Sequence, residues 1–109
     1  MEEIIKTLKV LSNKIRLQTF LILCQENLCV CELKEILNIE QSRLSHQLRL
    51  LRYAGLVDTV QQGKRIIYFV PEKIKKDKFM RDLQETVKLK LPLKKRLSMV
   101  RKNRTWNKK

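Results

Sequence analysis

Apolar residues recur at helical spacing through most of the chain. Ile4, Ile5, Leu8 and Leu11 predict a short first helix. Ser12 and Asn13 are good N-caps, and the helix behind them carries Leu17, Phe20, Leu21 and Cys24 on one stripe. A third, short helix is predicted from about Cys31 to Leu37, with Leu33, Ile36 and Leu37 inward, and Asn38-Ile39-Glu40 breaks it. Gln41 or Ser42 opens a fourth helix that runs to about Tyr53. Leu44, Leu48 and Leu51 form its buried row, and Gly55 suits the left-handed residue after its end. The period then changes. Val57-Asp58-Thr59-Val60 and Arg65-Ile66-Ile67-Tyr68-Phe69-Val70 read as strands around the turn Gln62-Gly63-Lys64, and Pro71 stops the second. Glu72 to about Leu91 is helical again, with Met80, Leu83, Val87 and Leu91 as its stripe. The expected fold is mainly α with a β-hairpin, in the order ααααββα.

At 109 residues, one domain is the natural expectation. Hydrophobic residues make up 43%, enough for a modest core, and a second copy of the chain would help to bury more surface. Two glycines and two prolines exclude a collagen-like or Gly-rich linker protein and argue against an all-β fold with many tight turns. No apolar run reaches the ~18 residues that a membrane span needs. The start, Met1-Glu2-Glu3, is acidic and unlike a signal peptide. Three cysteines are an odd count, which points to free thiols and a cytoplasmic location.

Charge changes the picture. Lys and Arg number 25 against 11 Asp and Glu, a formal net charge of +14, so a polyanion is the expected partner, nucleic acid before an anionic membrane. Residues 90–109 carry nine of the cations and no acid. With Pro92 read as the end of a helix, the domain is expected at 1–91 and a flexible basic tail at 92–109. Such a tail is either a solvated end or a non-specific phosphate-binding arm.

The fourth helix carries the candidate reading surface. With Leu44, Leu48 and Leu51 toward the core at about 100° per residue, Ser42, Ser45, His46 and Arg49 gather near the opposite pole, flanked by Arg43, Gln47 and Arg52. There is no carboxylate from Gln41 to Val57. Short polar residues allow close approach to a major groove, and Arg or Gln can reach base edges. An ordinary solvated face would mix in Glu for pairing and solubility. The short helix and turn before it make a helix-turn-helix candidate, and the hairpin tip Gln61-Gln62-Gly63-Lys64-Arg65 would lay Lys64 and Arg65 on phosphates or in the minor groove as a wing.

The run Ser42-Arg43-Leu44-Ser45-His46-Gln47-Leu48-Arg49-Leu50-Leu51-Arg52-Tyr53-Ala54-Gly55-Leu56-Val57, followed by Gln62-Gly63-Lys64-Arg65-Ile66-Ile67-Tyr68, resembles the ArsR/SmtB family of winged helix-turn-helix repressors. The resemblance covers about residues 1–90. It implies a homodimer through the first and last helices and an inverted-repeat operator in double-stranded DNA. It also implies repression relieved by a metal, a metalloid or a thiol-directed signal. On this pattern Ser42, Arg43, Ser45, His46, Gln47 and Arg49 lie at the DNA, with Lys64 and Arg65 in the wing. His46, the lone histidine, is read as a DNA contact and not a metal ligand.

Cys29-Val30-Cys31 stands where a loop enters the third helix, and a helix N-terminus favours the thiolate that binds soft ions or meets oxidants. The segment resembles the Cys-Val-Cys sensor motif of the arsenical-responsive branch, although Lys34 occupies the place where that branch often has a third Cys. Cys24 is either the missing ligand or a small core residue. The zinc-sensing branch uses His and carboxylates on the last helix, and residues 72–91 hold no His. The reading is a repressor with no permanent cofactor, released by arsenite, antimonite or another soft metal ion at Cys29 and Cys31. The alternatives are a redox-responsive repressor of the same fold and a non-specific nucleic-acid-binding protein driven by the tail. No motif of an enzyme is present, and no membrane role is expected.

Overall fold

The computed structural model describes residues 1–87 and 91–103. Its elements are α1 (Glu2–Leu11), α2 (Lys14–Gln25), β1 (Leu28–Cys29), α3 (Val30–Leu37), α4 (Gln41–Tyr53), β2 (Asp58–Gln62), β3 (Arg65–Phe69), α5 (Glu72–Lys76), α6 (Lys78–Thr86) and α7 (Leu91–Asn103). Among the described residues no helix is long and apolar enough to cross a membrane.

The caps fall where short polar side chains stand. Asn13 is extended and its side-chain oxygen accepts from the backbone N–H of Ile15 at 2.9 Å and of Arg16 at 3.1 Å, which starts α2. Asn38 ends α3 in the left-handed region at φ 55°, and Gly55, at φ 77°, turns the chain after α4. Helix α2 is the centre of the core: every residue from Thr19 to Cys24 is buried. Around it lie Leu33 and Ile36 of α3 and Leu44, Leu48 and Leu51 of α4. Thr19, the polar member of the run, donates its hydroxyl to Ile15 O at 2.7 Å and so leaves no unsatisfied group inside.

The wing is a three-stranded antiparallel sheet in the order β1-β3-β2, not a lone hairpin. The added strand, β1, has two residues, with Leu28 paired to Tyr68 and Cys29 to Ile67. The β2–β3 pairing closes at Gln62 and Arg65 around Gly63, whose φ of 62° needs no side chain to accommodate it.

Two expectations for the C-terminal part are corrected. The helix expected over 72–91 is broken at Asp77, which is extended, ends α5 and caps α6 by accepting from Met80 N at 3.4 Å. Asp competes with the helix for backbone donors, so it is better placed at a cap than inside. Met80 is buried, and Leu83 and Val87 pack against the core as their spacing predicted. The remainder of that expected helix, residues 88–90, lies outside the described residues, as does the side chain of Leu91.

The second correction concerns the segment expected as a flexible basic tail from 92. Residues 91–103 form a helix, and Pro92 stands in its first turn, where a missing N–H costs no hydrogen bond. Leu93, Leu97 and Val100, spaced i, i+4, i+7, are buried and join the main core. Arg96 donates to Ile36 O at 3.0 Å at the C-terminal end of α3. Arg101 donates to Glu26 Oε1 at 2.8 Å and to Gln25 O at 3.2 Å at the end of α2. Both guanidinium groups therefore meet the partly negative ends of helices. The rest of the expected tail, 104–109, lies outside the described residues.

Leu97 is 2% exposed, so Leu97→Ala should lower the unfolding free energy by ~2–4 kcal/mol in urea titration. A loss below ~0.5 kcal/mol would show that α7 is not part of the folded core.

Candidate nucleic-acid interface and thiol pair

The row Leu44, Leu48, Leu51 is buried, and this fixes what α4 shows to solvent. Ser42, Arg43, His46, Arg49 and Arg52 are exposed and Ser45 is half-buried, so most of the expected reading residues share one open face. Arg49, Arg52, Ser45 and Tyr53 line a groove that Tyr68 of β3 closes on the wing side. Arg52, expected as a flank of the reading face, and Tyr53, not singled out from the sequence, continue the same carboxylate-free run. Tyr53 is 78% exposed, unusual for an aromatic ring with nothing to cover it. The first carboxylate beyond the run, Asp58, sits 3.9 Å from Arg52 Nη2 in an exposed pair of little energetic weight.

Gln47 does not belong to the open face. It is 9% exposed, and its Oε1 accepts from Arg16 Nη1 at 2.8 Å. Arg16 Nε in turn donates to Val10 O at 2.6 Å. One guanidinium thus links the end of α1, the start of α2 and the middle of α4. Position 47 falls beside Leu51 and Leu44 on the helical wheel, four residues before the one and three after the other, near enough to the apolar row to turn inward once a donor waits there. No signal in the sequence reveals that donor, 31 positions away.

Lys64 is exposed at the wing tip, where the wing expectation placed it. Arg65 is exposed too, but its Nη1 lies 3.8 Å from Cys29 Sγ, at the outer reach of a contact to sulphur. The wing's second cation is thus engaged with a thiol across the sheet.

The three cysteines have three different environments. Cys24 is buried in α2, and desolvation pushes its thiol up to about 12, against the opposing pull of the Lys75 charge. It is a core residue and holds its proton at neutral pH. Cys29 is 4% exposed; it belongs to β1 and stands at the N-cap of α3. Its backbone N–H donates to the buried carboxylate of Glu32 at 3.1 Å. Cys31 is exposed in a groove with Lys34, Glu35, Asn38 and Gln41, at the turn that leads into α4. All three thiols are free. Among the described residues no three His, Cys, Asp or Glu side chains stand together as a metal site. The pair Cys29 and Cys31 is thus presented without a preformed third ligand.

The family model for bacterial regulatory proteins of the arsR family matches residues 13–59. The chain is 41% identical over 70 residues to the biofilm growth-associated repressor of Agrobacterium fabrum (strain C58), which covers 64% of this chain and 60% of that protein. It is 36% identical over 63 residues to the cadmium resistance transcriptional regulatory protein CadC of Listeria innocua, covering 57% of this chain and 53% of that one. Its fold is similar to the crystal structure of the transcriptional repressor BigR from Xylella fastidiosa. That similarity has a TM-score of 0.68 and 31% identity, over 82% of this chain and 90% of that chain. The chain spans between about half and three fifths of the length of these curated relatives.

Alkylation with iodoacetamide at pH 8 should label Cys31 first and Cys24 only after denaturation; equal native rates would contradict the burial of Cys24. Gln47→Ala should cost ~1–3 kcal/mol of stability, because it leaves a part-buried guanidinium donor without its acceptor. A neutral effect on the urea midpoint would place Gln47 back on the open face.

Proposed function

The chain belongs to the arsR family of bacterial regulatory proteins, and from that premise we propose that it is a transcriptional repressor that reads duplex DNA as a homodimer and is released by a signal at Cys29 and Cys31. The observation that carries the DNA reading is the open face of α4: Ser42, Arg43, His46 and Arg49, exposed together, with no carboxylate on the helix. Arg49 and Arg43 are suited to guanine O6 and N7, and Ser42, Ser45 and His46 to close polar contacts in the groove. Lys64 and Arg65 are suited to backbone phosphates beside it. Gln47 acts from within, by holding α4 to Arg16.

Pairing of two copies is supported by the apolar residues left open. Ile4, Ile5 and Leu8 of α1 and Phe79 of α6 are all exposed, and Ile4 and Phe79 border one groove. This face agrees with the expected pairing through the first helix and the helix read over 72–91, which correspond to α1 and α6, while α7 packs on its own chain. Twofold symmetry would set the two α4 helices in successive major grooves, about 34 Å apart, on an inverted repeat.

Release follows by linkage. A soft metalloid or metal ion such as arsenite, antimonite or Cd(II) would need both sulphurs on one side, yet Cys29 faces inward and Cys31 outward. To join them the first turn of α3 has to open, and α3 packs against α4. A ligand that prefers the opened state therefore lowers DNA affinity, and DNA lowers ligand affinity by the same factor. Oxidation of the thiols is a second reading, favoured by the exposure of Cys31 and by a pair that lacks a third ligand. A non-specific polyanion binder is disfavoured, since the first part of the expected tail is core-packed.

Arg49→Ala should weaken binding to the selected operator about tenfold or more and relax base preference. Equal affinity would remove α4 as the reading helix. A DNA-release titration with arsenite, antimonite, Cd(II) and peroxide should dissociate the wild type, while Cys29→Ser with Cys31→Ser should bind DNA and ignore all four. Release of the double variant would place the sensor elsewhere.

A further inference from the structure

Tyr53 is the last residue of α4, and at about 100° per residue it returns to within about 20° of Ser42 and His46 on the helical wheel. It therefore carries the open face to the C-terminal end of the helix. Its ring is exposed, and among the described residues its hydroxyl has no hydrogen-bond partner. Besides the groove it shares with Arg49 and Arg52, Tyr53 borders a second cavity, of about 310 Å³, between α4 and α1. There it is joined by Lys6 and Lys9 of α1 and by Arg16 of α2, with Val10 and Leu50 as apolar neighbours. Among the described residues no carboxylate borders either cavity. Helix α1 has three sides: Val10 and Leu11 turn to the core, Ile4, Ile5 and Leu8 form the open apolar side, and Lys6 and Lys9 form the third. The two lysines are exposed neighbours at i, i+3 and repel each other. Among the described residues neither forms an ion pair, not even with Glu2 one turn before Lys6.

We infer that Lys6, Lys9 and Tyr53 form a clamp on the phosphate backbone of duplex DNA, beyond the end of the base-reading face. The clamp rests on the DNA reading of α4 and extends it onto α1. In helix-turn-helix readers the N-terminal residues of the reading helix meet base edges, and a C-terminal end can lie on the backbone. Ser42, Arg43 and His46 hold the first position on α4, and Tyr53 holds the second. A phenol O–H donates a charge-assisted bond to a phosphate oxygen, and the lysines supply compact charges that displace condensed counterions. Arg16 sets their place. Its Nε donates to Val10 O of α1 and its Nη1 to Gln47 Oε1 of α4, so the cationic side of α1 is braced against the reading helix. The apolar neighbours and the exposure of both lysines suit a polyanion laid across the surface, not a small ion enclosed by donors. A second copy seated on Ile4, Ile5 and Leu8 leaves this side of α1 open. The clamp carries no base information, so it adds affinity to every duplex and selects none.

The test uses the full chain and a duplex enriched by the wild type from a random-sequence library. Binding is measured by anisotropy at several salt concentrations, on that duplex and on a scrambled one. The variants are Lys6→Gln with Lys9→Gln, Tyr53→Phe, and a charge control, Lys95→Gln with Lys102→Gln, two exposed cations of α7. The α1 double variant should bind both duplexes about tenfold or more weakly, with a salt slope smaller by about 4, two lost contacts in each of two protomers. Tyr53→Phe should bind several-fold more weakly at an unchanged slope, and the α7 control should move the slope by less than about 1. Binding of the α1 variant equal to the wild type overturns the clamp. So does a control that matches it, or a loss confined to the selected duplex. Ethylation of single phosphates should hinder the wild type at positions where it no longer hinders the α1 variant, and identical patterns overturn the clamp as well. If the α1 variant sediments as a monomer where the wild type does not, Lys9→Gln alone decides, with a slope change of about 2 expected and none overturning the proposal. A wild type that enriches no duplex, or an Arg49→Ala variant that binds like the wild type, overturns the DNA reading of α4 itself, a result distinct from the others.

Discussion

The burial of Leu44, Leu48 and Leu51 against α2 is the constraint on which the rest depends. Three leucines at that spacing leave α4 one rotational setting about its axis. Each is worth ~2 kcal/mol or more in transfer free energy, far above the few tenths at stake in any surface pair. The setting therefore decides which polar residues meet solvent, whatever those residues prefer. It sends Ser42, Arg43, His46 and Arg49 outward together. It also carries Gln47 to the edge of the core, where a bare amide would be costly, and Arg16 supplies the donor that makes burial tolerable. The cationic face and its internal brace are two consequences of one packing choice.

The sequence made the body of the fold legible because its signals were local. The α4 row, the Asn13 cap, the left-handed Gly55 and the β-branched run of β3 each depend on neighbours within about a turn. What escaped depends on partners far along the chain. Strand β1 is two residues long and exists only because β3 is beside it. Asp77 interrupts a stripe whose apolar spacing continues across it, so periodicity alone misses the break. In α7 the positive charge of Lys94, Lys95, Arg96, Arg101 and Lys102 dominated the reading, although Leu93, Leu97 and Val100 carried a helical stripe all along. Pro92, taken as a terminator, is equally at home in a first turn.

The candidate site was legible to a similar depth. The open residues of α4 and Lys64 could be placed from spacing, since exposure follows from the leucine row. The contacts of Gln47 and Arg65 could not, since each turns on a partner far along the chain. Cys24 is instructive: its stripe position suits a core residue, and it is buried there with its thiol pushed up by desolvation.

Helix α3 is where long-range contacts converge, and both of its ends are held. Its C-terminal half keeps Ile36 in the core and gives Ile36 O to Arg96. Its N-terminal end buries Cys29 and Leu33, takes the Cys29–Glu32 hydrogen bond and joins the sheet through β1. The signal proposed at Cys29 and Cys31 would therefore act at a junction, because β1 pairs with β3 of the wing and α3 packs against α4. A coupling of ~1–3 kcal/mol is within reach of such a junction, because it need only break a few polar contacts and not the core.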